Sequence, residues 1–183
     1  MFAHNAKYFD YIFNVSWCKF IYLKAPKAGG SGGADDHRFS DLVGSSKTDA
    51  PSDGHYSLTF KNCYWAEGCK ERMPRVRYGK VHIVNSFFNS TVSNKCVAAG
   101  FEADIRVESN VFEGVKTPID LMSGYTAVTA TDNVFTNTTG NQAGNKTAFT
   151  PPYSIVKLNK TAVKADISAN AGATLGGNIC GSF

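Results

Sequence analysis

One spacing recurs along this chain and limits what it can become. Two apolar residues lie two apart; a small residue follows three positions later, and an aromatic or other large apolar anchor two beyond that. Phe13-x-Val15…Cys18-x-Phe20, Leu58-x-Phe60…Cys63-x-Trp65, Val81-x-Ile83…Ser86-x-Phe88, Ile105-x-Val107…Asn110-x-Phe112 and Val128-x-Ala130…Asn133-x-Phe135 all share it. The last four anchors step by 23, 24 and 23 residues. A period in the low twenties is the mark of a solenoid. Apolar residues at i and i+2 read as half-buried strands, and no stretch before about residue 160 keeps helical spacing. Short strands separated by Asn, Gly, Ser and Asp predict an all-β chain wound as a parallel β-helix. The competing reading is an open sandwich with accidental spacing.

Phe20 and Trp65 are 45 residues apart, which predicts an additional coil between them, around Phe39 and Leu42. The small residue before each anchor faces inward. Stacked about 4.8 Å apart, these side chains can hydrogen-bond along the stack, where an unpaired amide would be costly.

At 183 residues, the chain is one domain's worth. Lys and Arg number 19 against 15 Asp and Glu, a net charge of +4, and the excess is concentrated between Lys70 and Lys80. No run approaches the ~18 apolar residues of a membrane span, and Met1-Phe2-Ala3-His4-Asn5 lacks the features of a signal peptide. The 5 cysteines and the N-x-S/T sites at Asn14, Asn89, Asn137, Asn145 and Asn159 lean toward an extracellular protein. Two coils would separate Cys18 from Cys63 by roughly 9–10 Å, too far for a disulfide. Cys69 and Cys96 follow anchors on adjacent coils and form the candidate disulfide; Cys180 is left over.

The strand Glu71-Arg72-Met73-Pro74-Arg75-Val76-Arg77-Tyr78-Gly79-Lys80 sets four cations on this straight wall, with Lys70 just ahead. That suits an extended polyanion better than a compact substrate. Arg75 and Arg77 share a face, whereas Arg72 and Arg77 would oppose one another in a straight strand. A bend at Pro74 would bring them together. The bland alternative makes these cations a solvated face or partners of Glu67 and Glu71. His37, His55 and His82 read as hydrogen-bonding surface residues. The 29–33 glycine stretch reads as a flexible surface loop.

Residues 1–12 lead straight into the first repeat without a cap, so the chain reads as the C-terminal part of a longer protein. Its single truncated domain, 1–183, divides into coils over 13–140 and a crossing segment and cap over 141–183. Thr150-Pro151-Pro152-Tyr153 forms a stiff crossing, and residues 162–169 a short C-terminal helix.

The segment Arg72-Met73-Pro74-Arg75-Val76-Arg77 resembles the R-x-P-x-x-R signature of pectate and pectin lyases, polysaccharide lyase family 1. Val15-Ser16-Trp17-Cys18-Lys19-Phe20, the 36–46 segment with Gly44-Ser45-Ser46, and the 100–112 segment are similar to neighbouring coils of that family. Phe149-Thr150-Pro151-Pro152-Tyr153 and Asn170-Ala171-Gly172-Ala173 fit as well. The resemblance implies a right-handed, single-stranded parallel β-helix, secreted and expected to be monomeric. It implies calcium-assisted β-elimination of polygalacturonate, giving 4,5-unsaturated oligogalacturonides.

By that resemblance Arg72 is the catalytic base. Such a role needs crowding by other cations, since a guanidinium otherwise keeps its proton. Arg77 is expected to clamp a substrate carboxylate through paired N–H donors, with Arg75 and Lys80 contributing charge. A substrate-binding Lys of the family falls near Arg38 here, with Lys24 and Lys27 as rivals. Calcium needs several carboxylate oxygens. The family's paired acids would fall near Met1 and Asn5, where there are none, and Asp10 is too close to the strand to replace them. Asp35, Asp36 and Asp41 either hold a substrate-bridging calcium or are solvated loop acids. The metal ligands are therefore unknown, and the chain on its own is expected to be weakly active or inactive. The alternatives are a non-catalytic carbohydrate-binding β-helix and a pectin lyase acting on methylated chains. Nucleic acid is disfavoured, because the aromatics occupy core positions instead of forming a stacking platform.

Overall fold

The computed structural model describes residues 13–23, 36–52 and 54–173. Asp10, Lys24, Lys27, Asp35, Cys180 and the 29–33 glycine stretch lie outside these described residues.

Of the fourteen short strands among the described residues, ten occupy the predicted apolar pairs and anchors, and four form a third sheet outside that pattern. A first sheet stacks β1 (Phe13–Ser16), β4 (Tyr56–Lys61), β7 (Gly79–Val84), β10 (Asp104–Glu108) and β13 (Ala127–Thr131) in that order. A second stacks β2 (Lys19–Phe20), β5 (Tyr64–Trp65), β8 (Phe87–Phe88), β11 (Val111–Glu113) and β14 (Val134–Thr136). The third holds β3 (Leu42–Val43), β6 (Arg75–Val76), β9 (Val97–Ala99) and β12 (Ile119–Leu121). Every ladder pairing is parallel, and each coil visits the three sheets in turn. The parallel β-helix expected from the repeat is the fold.

The corner between the first and second sheets is the same in every coil. One residue there takes a left-handed conformation: Trp17 (φ 57°), Asn62 (56°), Asn85 (52°), Ser109 (55°) and Asp132 (56°). Asn and Asp tolerate that region better than most residues, because their short polar side chains can bond locally. The next residue turns inward and forms the expected ladder. Ser86 Oγ accepts from the Cys63 amide at 3.0 Å, and Asn110 Oδ1 from the Ser86 amide at 2.8 Å. Asn133 Oδ1 takes both the Asn110 amide and its Nδ2 at 3.0 Å.

Beside this ladder runs a column of rings. Phe20, Trp65, Phe88, Phe112 and Phe135 stack with centroids 5.2, 4.5, 4.3 and 5.2 Å apart and planes within 16° of parallel. Phe20 therefore lies directly on Trp65, and no additional coil separates them. Phe39 and Leu42 belong to the third-sheet part of the same coil, which is long because its turns are long. Cys18 and Cys63 are correspondingly on adjacent coils, not two apart; the Tyr64 amide donates to Cys18 O at 2.8 Å.

The candidate disulfide is also corrected: Cys69 and Cys96 are buried free thiols. Their sulfurs point in opposite directions along the stack, Cys69 Sγ toward Phe20 O (3.3 Å) and Cys96 Sγ toward Lys116 O (3.8 Å). Burial pushes the Cys69 thiol up to about 12, keeping it protonated and inert.

After β14 the chain runs back over the outer face of the first sheet. Arg106 Nε donates to Phe149 O (3.0 Å), and Asn85 Nδ2 to Val156 O (3.0 Å). His82 is buried beneath this segment, not at the surface. Its Nε2 lies 2.9 Å from Glu108 Oε1 and its Nδ1 3.2 Å from the Tyr153 hydroxyl. Helix α1 (Lys160–Asn170), longer than expected, is capped by Asn159, whose side chain accepts from the Thr161 amide. It packs Val163 and Ile167 against Phe87 and Val111, along the side of the second sheet.

Replacing Phe88 by Ala removes the ring at the centre of the column and should cost about 3–5 kcal/mol in denaturant unfolding. Asn110→Ala strips the Ser86 amide of its acceptor and should cost about 1–3 kcal/mol. A loss within error for both would mean that the stack does not carry the stability of the coils.

Candidate active site

The arginine segment forms the third-sheet part of the second coil, and left-handed residues bracket it: Arg72 at φ 59° and Tyr78 at φ 51°. The Met73–Pro74 peptide between them is cis. Met73 and Val76 are fully buried, while Arg72, Arg75 and Arg77 are each half-buried. The alternation sends apolar residues inward and leaves the cations at the wall.

Arg75 lies in an outward row with Leu42, Ala98 and Asp120, its register partners along the sheet. Small Ala98 leaves space on one side of it. Burial, then the charges of Arg77 and Arg72, push the Arg75 guanidinium below its ordinary value. The charges of Arg72 and Arg77 thus lie near enough to act on Arg75. Its Nε is buried with no hydrogen-bond partner, as is that of Arg72. The Arg72 guanidinium lies 4.5 Å over the Phe39 ring, and Phe39 is held by a parallel bridge to Glu71 and by Tyr22, whose hydroxyl donates to Phe39 O.

Arg77 reaches down to the preceding coil. One terminal nitrogen, NH1, donates to Gly44 O at 3.0 Å and Ser45 O at 2.7 Å. No hydrogen bond among the described residues uses its NH2 or Nε, so one edge of the fork remains open. Two glycines allow the coils to approach here. A Cβ on Gly44 (φ 79°) would meet Arg77 O at 2.6 Å, and one on Gly100 would meet Val76 O at 2.7 Å.

The other expected residues lie elsewhere. Arg38 is closed on Asp36 through two hydrogen bonds of 2.7 and 2.6 Å, which hold the Asp36 carboxyl at about 2. Lys80 is the second residue of β7 on the first sheet, around the corner from the arginines. Glu67 and Glu71 do not neutralise the cluster through ion pairs, because Glu67 accepts from Thr91 and Glu71 from Asn94. Asp36 is committed to Arg38 and Lys70. Asp41 turns inward to accept from Trp65 Nε1 at 2.7 Å. These two acids do not converge, and no three His, Cys, Asp or Glu among the described residues gather as a cation site.

Sequence reading missed the roles of Phe39 and of the Gly44 and Ser45 carbonyls. Both depend on which coil lies next to the arginines, and the additional coil wrongly placed after Phe20 obscured that. The direct signal was Gly44 itself, a glycine where two backbones meet.

A family model described as pectate lyase matches residues 32–175. A pectate trisaccharide-lyase of Bacillus licheniformis is 34% identical over 138 residues, covering 73% of this chain and 38% of its own length. A probable pectate lyase A of Neosartorya fischeri is 34% identical over 142 residues, covering 76% of this chain and 42% of its own. The chain thus spans less than half the length of these relatives. Among solved structures, a pectate lyase from Bacillus sp. N165 in complex with trigalacturonate superposes with a TM-score of 0.62 at 23% identity, over 87% of this chain and 48% of that one. A variant pectate lyase from Xanthomonas campestris gives a TM-score of 0.67 at 21% identity, over 88% and 59% respectively. The arginine segment lies within the matched residues, on the fold that these enzymes share, and this chain belongs to the pectate lyase family.

Proposed function

We propose that this chain carries the arginine face of a secreted pectate lyase that cleaves polygalacturonate by β-elimination. The observation that carries this reading is the cluster of Arg72, Arg75 and Arg77, half-buried, mutually coupled and without a carboxylate partner within ion-pair distance among the described residues. A row of cations that Glu71 and Asp120 compensate only in part, without an ion pair, is favoured further by a chain of carboxylates.

Elimination removes the C5 proton of a uronate, places enolate-like charge on its carboxyl group, and breaks the C4–O4 bond. The C4–C5 double bond forms, and the departing oxygen takes a proton from water. Arg77 suits the carboxylate, since two backbone carbonyls fix one nitrogen and the open edge offers paired donors. Arg75 adds positive charge where negative charge develops. Arg72, in its neutral guanidine form, is assigned as the group that accepts the C5 proton. Its cation lies over the Phe39 ring, and no carboxylate pairs with it within ion-pair distance among the described residues. The calcium implied by the resemblance finds no ligand set among the described residues, and these roles are assigned without it.

Arg72→Ala should lower formation of the unsaturated product, read by its ultraviolet absorbance, by about 10²–10⁴-fold while polymer retention persists. A non-catalytic binder would barely respond to that change. Arg77→Lys keeps the charge and loses the fork, so it should reduce kcat/KM by about 10²-fold or more. Failure of the unaltered chain to retain demethylated polymer, or product formation by Arg72→Ala equal to that of the unaltered chain, would overturn the lyase reading. Faster turnover of methylated than demethylated chains would favour a pectin lyase.

A further inference from the structure

Around the corner from the arginines, a cavity of about 180 Å³ opens between β4, β7 and the returning segment. It is well below the ~300–1,000 Å³ of sites for drug-sized ligands and suits a single small ring. One wall carries Lys80, with Ser57 beside it in register on β4 and Asp104 beside it on β10. His55 stands at the same end, and Phe149, Thr150 and Tyr153 close the opposite side.

Among the described residues, Lys80 is the one lysine lining the cavity, and Asp104 is its register neighbour on β10. Asp104 accepts from the Phe149 amide at 2.9 Å, and its charge is shared among Lys80, Arg106 and His55. Arg106 is committed to the carbonyls of Phe149 (3.0 Å) and Ala148 (3.3 Å). Lys80 takes part in none of the ion pairs among the described residues. The Lys80 ammonium is thus influenced by Asp104 without an ion pair to it, and the Ser57, Thr150 and Tyr153 hydroxyls line the cavity with it.

We propose that this cavity is a second carbohydrate site, taking one hexuronate ring outside the arginine face. Lys80 holds the carboxylate, Ser57 and Thr150 serve the ring hydroxyls, and the Phe149 and Tyr153 side chains cover the C–H face. Lys80 belongs to the same coil as the arginines, three residues beyond Arg77, but to a different sheet. The site would therefore hold a terminal or released uronate beside the main polymer path. The choice of a uronate over other small carboxylates rests on the pectate reading of the arginines.

The test is a titration of the ¹⁵N-labelled full chain with D-galacturonate, and with D-galactose as the uncharged control, followed by amide shifts. Galacturonate should shift residues 55–58, 79–81 and 149–153, and galactose should not. Lys80→Met should weaken galacturonate roughly ten-fold or more. Ser57→Phe, which fills the cavity while keeping Lys80, should abolish the shifts and serves if the first variant does not fold by circular dichroism. Arg72→Ala should leave this affinity unchanged. Shifts confined to residues 72–77, an equal response to galactose, or no response would each overturn the second site. Equal lyase turnover by Arg72→Ala and the unaltered chain would instead defeat the catalytic reading and leave the titration to decide this one.

Discussion

The aromatic column fixes the distance and register between coils, and everything at the surface inherits that register. Rings 4.3–5.2 Å apart, with nearly parallel planes, occupy the same point in each of five coils. The Ser and Asn ladder beside them satisfies buried amides that a purely apolar interior would leave unpaired. The two devices are complementary. Rings supply buried area with little direction, whereas amide hydrogen bonds are directional and penalise a slip of one residue. Left-handed corner residues then turn each coil at the same place, so third-sheet strands stack as regularly as the core does.

This regularity allows residues distant in sequence to act as one surface. Gly44 and Arg77 are far apart in the chain, yet they touch because their coils are neighbours. Phe39 lies under Arg72 for the same reason. The long turns of the first coil are tolerated because loop closure costs grow only slowly with length. What the fold cannot tolerate is bulk between coils at the arginine strand, and Gly44 and Gly100 occupy the two places where backbones meet there.

Much of this was legible in the sequence, because one repeat encodes both the strand and the inward residue. The spacing of Val81, Ile83, Ser86 and Phe88 located strand, ladder and ring column together. The coil count was not legible across residues 21–55, where one coil carries two long turns. Length alone made it look like two coils. That error changed the stated separation of Cys18 from Cys63. The direction of the Cys69 and Cys96 sulfurs is set by backbone carbonyls on opposite sides, which no spacing reveals. His82 alternates outward from the core, as its position predicts, and is buried only because the returning segment lies on top of it. Within the arginine segment the bend was expected at Pro74, and the structure adds left-handed Arg72 and Tyr78 at its two ends.

The electrostatics of that segment separate a functional surface from an ordinary basic one. Exposed cations normally face water or pair with nearby acids, and the first coil shows that solution in Arg38, closed on Asp36. Arg75 follows neither course. It is partly desolvated and flanked by two further arginines, which push its pKa down against the opposing charges of Glu71 and Asp120. Such a cluster works against stability, and sites retained at that cost are the usual signature of function. A polyanion reverses the sign of the interaction, because each carboxylate replaces lost hydration and screens the mutual repulsion. Under the proposed function, the same strand favours the coil bound to a polyanion.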